Sequence, residues 1–310
     1  MPSSASVRRP GSYEPRTRRR ERSWRAATNT SGVRPDRRAR ARRPPSKLQV
    51  HIMKAIILSA GRGNRLLPMT ERLPKCAISV GNRALIDWQI DGLAANGIDQ
   101  VIVVTGFGAG HVQRLLALPE CRVQARTLYN PRFETADNLV SCWMARDEMD
   151  DDFVLLNGDT VFEPAVLGRL LAAPHRPVVM AIDHKDHYDD DDMKVRLQGK
   201  RLLRVGKDLP VEQVHGESIG MMVFRADGPG LFREALNRAM QEPRATSRWY
   251  LSVLDEMAAS GRVWTQSIRG LDWAEIDYPM DLIRAASMVD AWGRGGVDRH
   301  ARGTLGSVRC

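Results

Sequence analysis

Residues 54 to 75 read Lys-Ala-Ile-Ile-Leu-Ser-Ala-Gly-Arg-Gly-Asn-Arg-Leu-Leu-Pro-Met-Thr-Glu-Arg-Leu-Pro-Lys, and this stretch decides the fold. The apolar run Ala55 to Leu58 has the pattern of a buried strand. Ser59, Ala60, Gly61 and Gly63 then form a loop with almost no side-chain bulk. Glycine tolerates positive φ, so successive amide N–H groups can turn toward one anion. Arg62, Arg65 and Lys75 add positive charge beside that loop, and a polyphosphate is the ligand that suits it. A tight strand-to-helix connection with no ligand is the competing reading of the glycines alone.

Two familiar phosphate loops are excluded by the spacing. A Walker A loop requires Gly-Lys-Ser/Thr after the four-residue gap, and nothing beyond Gly61 supplies it. The dinucleotide fingerprint requires a third glycine where Leu66 stands.

Gly61-x-Gly63-x-Arg65-Leu66-x-Pro68-x-Thr70 followed by Leu73-Pro74-Lys75 resembles the signature of the nucleotidyltransferases that activate sugar phosphates and phosphocholine. The chain departs from the common pattern at Asn64, Met69 and Cys76. The resemblance runs over about residues 53 to 290. It implies a Rossmann-like α/β nucleotidyltransferase domain at 53–292, with a mixed, mostly parallel central sheet and a β-rich acceptor-binding insertion. It also implies that Ser59, Ala60, Gly61, Arg62 and Gly63 hold the nucleotide, while Arg65 and Lys75 act on its phosphates.

The net charge of +10 misdescribes the domain, because residues 1–52 hold fourteen Arg and one Lys against Glu14, Glu21 and Asp36 and leave −2 for residues 53–310. That basic, Ser- and Pro-rich segment has too few large apolar residues to offset ordering entropy and reads as disordered. Met53-Lys54-Ala55 is where members of the resembled family begin, so 1–52 is expected to be an extension from a misassigned start codon. An arm for nucleic acid or an anionic membrane, and a transit peptide, are the alternatives. The Gly-Arg-rich end, 293–310, reads as a flexible tail.

No apolar run approaches a membrane span, and Cys76, Cys121, Cys142 and Cys310 show neither zinc spacing nor a disulfide framework. A cytoplasmic location is the expectation, with a homo-oligomer left open. Short apolar runs alternate with amphipathic segments from Ala84 to Leu156, as in a doubly wound α/β sheet. Ligands of such sheets bind beyond the strand C-termini, where Gly61 and Asp159 both fall. From Val178 the pattern changes to a strand, a hairpin over 193–205, a strand over 220–224, two helices, a late strand over 263–268 and a closing helix from Asp281, its N-cap.

Asn157-Gly158-Asp159-Thr160 and Trp273-Ala274-Glu275-Ile276-Asp277 resemble the family's two acidic segments. The resemblance implies that Asp159, Asp277 and Glu275 hold Mg²⁺, which favours one or two carboxylates with phosphate oxygens and waters. Alternation places Glu275 and Asp277 on one strand face. Taken singly, each aspartate reads equally well as a turn residue. Lys207 resembles the lysine that contacts the acceptor phosphate, and Glu217 is a candidate for orienting the acceptor.

Asn130-Pro131 and Asp137-Asn138-Leu139-Val140-Ser141-Cys142-Trp143 resemble the phosphocholine cytidylyltransferase branch, which adds Asn138 to the nucleotide-binding set. An ammonium group requires aromatic faces or carboxylates. Trp143, Tyr188, Trp249, Tyr250 and Trp273 are the aromatic candidates, with 189–192 as an acidic rim. The implied reaction joins CTP to phosphocholine or a related amino-alcohol phosphate and releases pyrophosphate. The alternatives are a sugar-1-phosphate nucleotidyltransferase and a non-catalytic nucleotide-binding regulator.

Overall fold

The expected first strand is β1 (Lys54–Ser59), buried from Ala55 onward. The computed structural model describes residues 53–303, with side chains to 292, so the extension at 1–52 and residues 304–310 lie outside the described residues. A small hairpin, β2 (Ser79–Val80) and β3 (Arg83–Ala84), leads into α1 (Leu85–Ala94), which buries Leu85, Ile86, Ile90 and Leu93. The chain continues as β4 (Gln100–Thr105), α2 (Ala109–Leu116), β5 (Gln124–Tyr129) and α3 (Asn138–Met144). Next come β6 (Phe153–Asn157), β7 (Thr160–Phe162), α4 (Pro164–Leu171) and β8 (Val178–Asp183). The remainder is β9 (Lys194–Gln198), β10 (Arg201–Gly206), β11 (Gly216–Phe224), α5 (Gly228–Ala239), α6 (Tyr250–Ala258), β12 (Val263–Ser267), β13 (Trp273–Glu275) and α7 (Pro279–Gly303).

Nine strands form one mixed sheet in the order β5-β4-β1-β6-β11-β8-β12-β10-β9. The first four are parallel. Strand β11 then runs antiparallel between β6 and β8. The hairpin β9–β10 folds back so that β9 also pairs with β11 through Glu217↔Lys194, which closes this half of the sheet on itself. The β-rich insertion therefore grows out of the central sheet.

Both faces are covered. Ile56 and Leu58 enter one core with Phe153, Phe224, Phe232 and Tyr250, while Ala55 and Ile57 enter the other with Ile86, Leu156 and Phe162. A strand buried on both sides has no polar face to show, hence its continuous apolar run. Phe153 and Phe224 stack at 4.5 Å between centroids. Each such fully buried side chain contributes about 1.5–3 kcal/mol.

Four of the boundaries that differ from the sequence reading change a residue's place or an element's extent. Strand β11 starts at Gly216, so Glu217 lies inside it. Strand β13 ends at Glu275, so Asp277 lies past the strand and shares no strand face with Glu275. Helix α7 starts at Pro279, which moves Asp281 from the N-cap into the first turn. There its Oδ2 accepts the backbone N–H groups of Asp277 and Tyr278 at 3.0 and 2.7 Å, reaching back to cap the helix from within. The same helix continues to Gly303, beyond Gly293 where the tail is expected to begin. Helix α4 and the two-stranded sheet β13–β7 are not foreseen in the sequence reading.

Candidate active site

The loops that follow β1 and β6 touch. An ideal Cβ on Gly158 would stand 2.6 Å from Ser59 Oγ and 2.7 Å from the Leu58 carbonyl oxygen, so only glycine fits. The Gly158 N–H donates to that carbonyl at 2.8 Å. Gly63 adopts φ 71°, and its carbonyl accepts from Thr70 Oγ1 at 2.8 Å, which folds the loop back on itself. Ala60 and Gly61 line a cavity of about 290 Å³ with Asp137, Asn138, Ser141 and Trp249. Arg62 departs from its expected place: it lies over the Phe107 ring at 4.7 Å and 3.8 Å from Glu134, in a separate hollow.

Lys75 opens the short turn Lys75–Ala77 behind Pro74, and its side chain reaches the two acidic segments. Its Nζ donates to Asp159 Oδ2 at 2.9 Å and to Asp277 Oδ1 at 2.5 Å. Burial alone would lower the lysine's pKa, but the two carboxylates outweigh it and hold the ammonium well above its ordinary value. Arg65 completes the cluster at 3.2 Å from Asp277 Oδ2 and 3.1 Å from Asp191 Oδ2.

Asp159, Glu275 and Asp277 offer oxygens that all lie within 4.8 Å of one another. The Ile276 N–H donates to the Asp159 carbonyl at 3.0 Å and sews the two acidic segments together. Glu275 keeps an open side toward the cleft, yet its carboxyl is crowded by protein. That desolvation, with repulsion from Asp159 and Asp277, pushes its pKa up to about 8. Asp159 Oδ1 is buried with no hydrogen-bond partner. A buried carboxylate oxygen left unpaired beside two further carboxylates fits a hard divalent cation such as Mg²⁺.

A second cavity, of about 840 Å³, joins the first along Asn138, Asn157, Asp159 and Trp249. Lys207 and Glu217 both line it. The Lys207 ammonium sits 4.6 Å over the Trp249 ring and 3.1 Å from Asp191 Oδ1, so one carboxylate bridges Lys207 and Arg65. Burial raises the Glu217 carboxyl to about 7 despite Lys185 at 3.0 Å. Asn138 Oδ1 accepts from the Tyr250 N–H at 3.0 Å, and the Tyr250 hydroxyl donates to Asn157 Oδ1 at 2.9 Å, stiffening the wall between the cavities.

The structure thus brings Ala60, Gly61, Arg65, Lys75, Asn138, Asp159, Lys207, Glu217, Glu275 and Asp277 to one cleft. Of the aromatic candidates, Trp249 and Trp273 line it, while Tyr250 is core and Trp143 turns away to Asn237. Lys185, Asn157 and Tyr278 also line it and are given no role in the sequence reading. Lys185 sits in a loop whose many aspartates mask it, and Asn157 reads as an ordinary turn residue.

Residues 54–176 match the model of a family described as Nucleotidyl transferase. The chain is 31% identical over 251 residues to CMP-5'-(3-aminopropyl)phosphonate synthase of Streptomyces rubellomurinus, covering 75% of this chain and 38% of that protein. It is 33% identical over 103 residues to choline-phosphate cytidylyltransferase of Streptococcus pneumoniae, covering 33% of this chain and 43% of that protein. The matched regions span less than half the length of both relatives. A solved inositol-1-phosphate CTP transferase from T. maritima has a similar fold, with a TM-score of 0.65 at 20% identity over 76% of this chain and 96% of that one. A solved CTP:phosphocholine cytidylyltransferase from Streptococcus pneumoniae gives 0.64 at 18% over 76% and 99%. No helix among the described residues is long and apolar enough to cross a membrane.

Proposed function

From the premise that this chain belongs to the nucleotidyl transferase family, we propose that it is a Mg²⁺-dependent cytidylyltransferase, joining CTP to a small phosphorylated or phosphonylated acceptor that carries an amine or a quaternary ammonium, such as phosphocholine. The observation that carries this reading is Lys75, clamped between Asp159, which lines both cavities, and Asp277, which lines the larger one. The names of the relatives, a CMP-aminopropylphosphonate synthase and a choline-phosphate cytidylyltransferase, support CTP as donor and an acceptor that carries an amine or quaternary ammonium. Trp249 and Trp273, with the acidic loop at 189–192, supply surfaces that suit a cation.

In this reading the backbone of Ala60 and Gly61 receives the nucleotide in the smaller cavity, and Arg65 neutralises its phosphates. Lys207 receives the acceptor phosphate in the larger one. An acceptor oxygen attacks the α-phosphorus, the bond to the β-phosphate oxygen breaks, and pyrophosphate leaves with the electron pair. Lys75 steadies charge on the α-phosphate, and rigid placement of the two substrates supplies much of the catalysis. Asp159, Asp277 and Glu275 are the residues that would hold Mg²⁺, which neutralises phosphate charge when bound.

The test is pyrophosphate release with Mg²⁺, crossing four nucleoside triphosphates with phosphocholine, aminoalkyl phosphates and phosphonates, inositol phosphate and hexose 1-phosphates. Release with CTP and an amine-bearing acceptor is expected. Release only with a hexose phosphate would overturn the acceptor and keep the mechanism.

A further inference from the structure

Gln89 lies on α1, outside both cavities, and is completely buried. Its Nε2 donates to the Asn157 carbonyl at 2.7 Å and to the Thr160 carbonyl at 2.8 Å. Those two carbonyls bracket the turn Asn157-Gly158-Asp159-Thr160 between β6 and β7. One amide nitrogen therefore grips both ends of the turn that presents Asp159.

The grip is held at a cost. Gln89 Oε1 is buried with no partner, a condition that an apolar side chain of similar length would avoid. Turning the amide over gives no relief, because Oε1 would then face two carbonyl oxygens. What the amide provides is its pair of donors. The helix is also pressed close to the turn: an ideal Cβ on Gly92, one turn further along α1, would stand 2.7 Å from the Phe162 ring of β7.

The turn in turn sets the carboxylate spacing. The Asp159 carbonyl accepts the Ile276 N–H at 3.0 Å, so the place of this turn fixes Asp159 relative to Glu275 and Asp277. We propose that Gln89 is a positioning residue for the acidic cluster, holding Asp159 where the three carboxylates share one divalent cation. This inference rests on the metal reading given above. Outer groups that orient metal ligands typically change metal affinity 10- to 100-fold when removed.

The test measures Mn²⁺ affinity by electron paramagnetic resonance of the free ion, without substrates, for the wild type, Gln89→Leu and Gln89→Glu. Leucine removes both donors, and glutamate keeps the shape but turns lone pairs toward both carbonyls. Thermal melts select the variants that fold. A roughly tenfold or greater loss of Mn²⁺ affinity is expected for Gln89→Leu. The kcat should fall with it, while the acceptor KM should stay within about twofold, a split that general loosening of the domain would not give. If Gln89→Leu does not fold, Gln89→Glu decides by the same readouts. A folded variant that binds Mn²⁺ and turns over like the wild type would overturn the inference alone. A wild type that binds no Mn²⁺ would overturn the metal reading and this inference with it.

Discussion

Lys75 Nζ and Asp277 Oδ1 stand 2.5 Å apart although 202 positions separate them in the chain. The strand-loop unit at the start of the domain and the acidic segment before α7 therefore close on each other through the Lys75 ammonium, with Arg65 beside it on the other Asp277 oxygen. That ammonium compensates a crowd of carboxylates, and its absence leaves them to repel. Lys75→Met should lower kcat at least about 100-fold, the scale of losing one charge-stabilising donor. Without substrate, Mn²⁺ should bind the variant as tightly as the wild type or more tightly, because a competing cation is gone. The melting temperature should drop in chelator and recover with Mg²⁺. A kcat within threefold of wild type would remove Lys75 from the mechanism.

Glu217 predicts a pH-dependent stability. Burial raises its carboxyl to about 7 in the fold from an ordinary value of 4.5, so between those pH values the native state holds a proton that the unfolded chain has released. Stability must then decline as pH rises through that window, by at most about 3 kcal/mol. Lys185 stays charged throughout and does not contribute to the slope. Glu217→Gln lacks the titration, so its melting temperature should gain on the wild type between pH 4.5 and 7, whatever its offset from losing the Lys185 pair. Parallel melting curves across that range would show that the carboxyl is not strained by burial.

How far the sequence revealed the site depends on how local each feature is. The glycine loop and its basic residues were legible because they lie within one strand-loop unit, and the parallel strands because helices alternate with them. The insertion of β11 between β6 and β8 was not, since chain order says nothing of spatial order once strands turn antiparallel. Glu275 and Asp277 do converge on Asp159, though not by strand alternation: Asp277 sits past β13 and is placed by the Asp281 cap. Gln89 was invisible, because a glutamine on a helix reads as surface until the turn behind it is known. Arg62 went the other way, its charge suggesting phosphate while Phe107 and Glu134 hold it elsewhere.

Gly158→Ala tests the contact between the two loops. The added methyl would press on Ser59 Oγ and on the Leu58 carbonyl, and backbone cannot yield as a flexible side-chain tip can. Overpacking of this kind costs about 1–3 kcal/mol. The next residue is Asp159, so the strain should also displace the carboxylate. The expected result is a lowered melting temperature together with weaker Mn²⁺ binding in the protein that remains folded. Full Mn²⁺ affinity in a destabilised variant would mean that the turn absorbs the methyl without moving Asp159.

Trp249 is 41% exposed, unusually open for so large an aromatic side chain, and it lines both cavities. Lys207 rests over its ring at 4.6 Å. The indole thus fixes the cation assigned to the acceptor phosphate, and in the proposed function its remaining surface is free to meet the acceptor's ammonium. Cation–π contacts contribute about 0.5–2 kcal/mol, so Trp249→Ala should raise the acceptor KM about 3- to 30-fold. The kcat should change less, because the ring touches no group assigned to the reacting phosphorus. Trp249→Phe, which keeps a weaker π face, should fall between the two. Steady-state kinetics with the acceptor varied at saturating CTP measures this, and an unchanged KM in the alanine variant would place the acceptor on the far wall of the cavity, toward Trp273 and Tyr278.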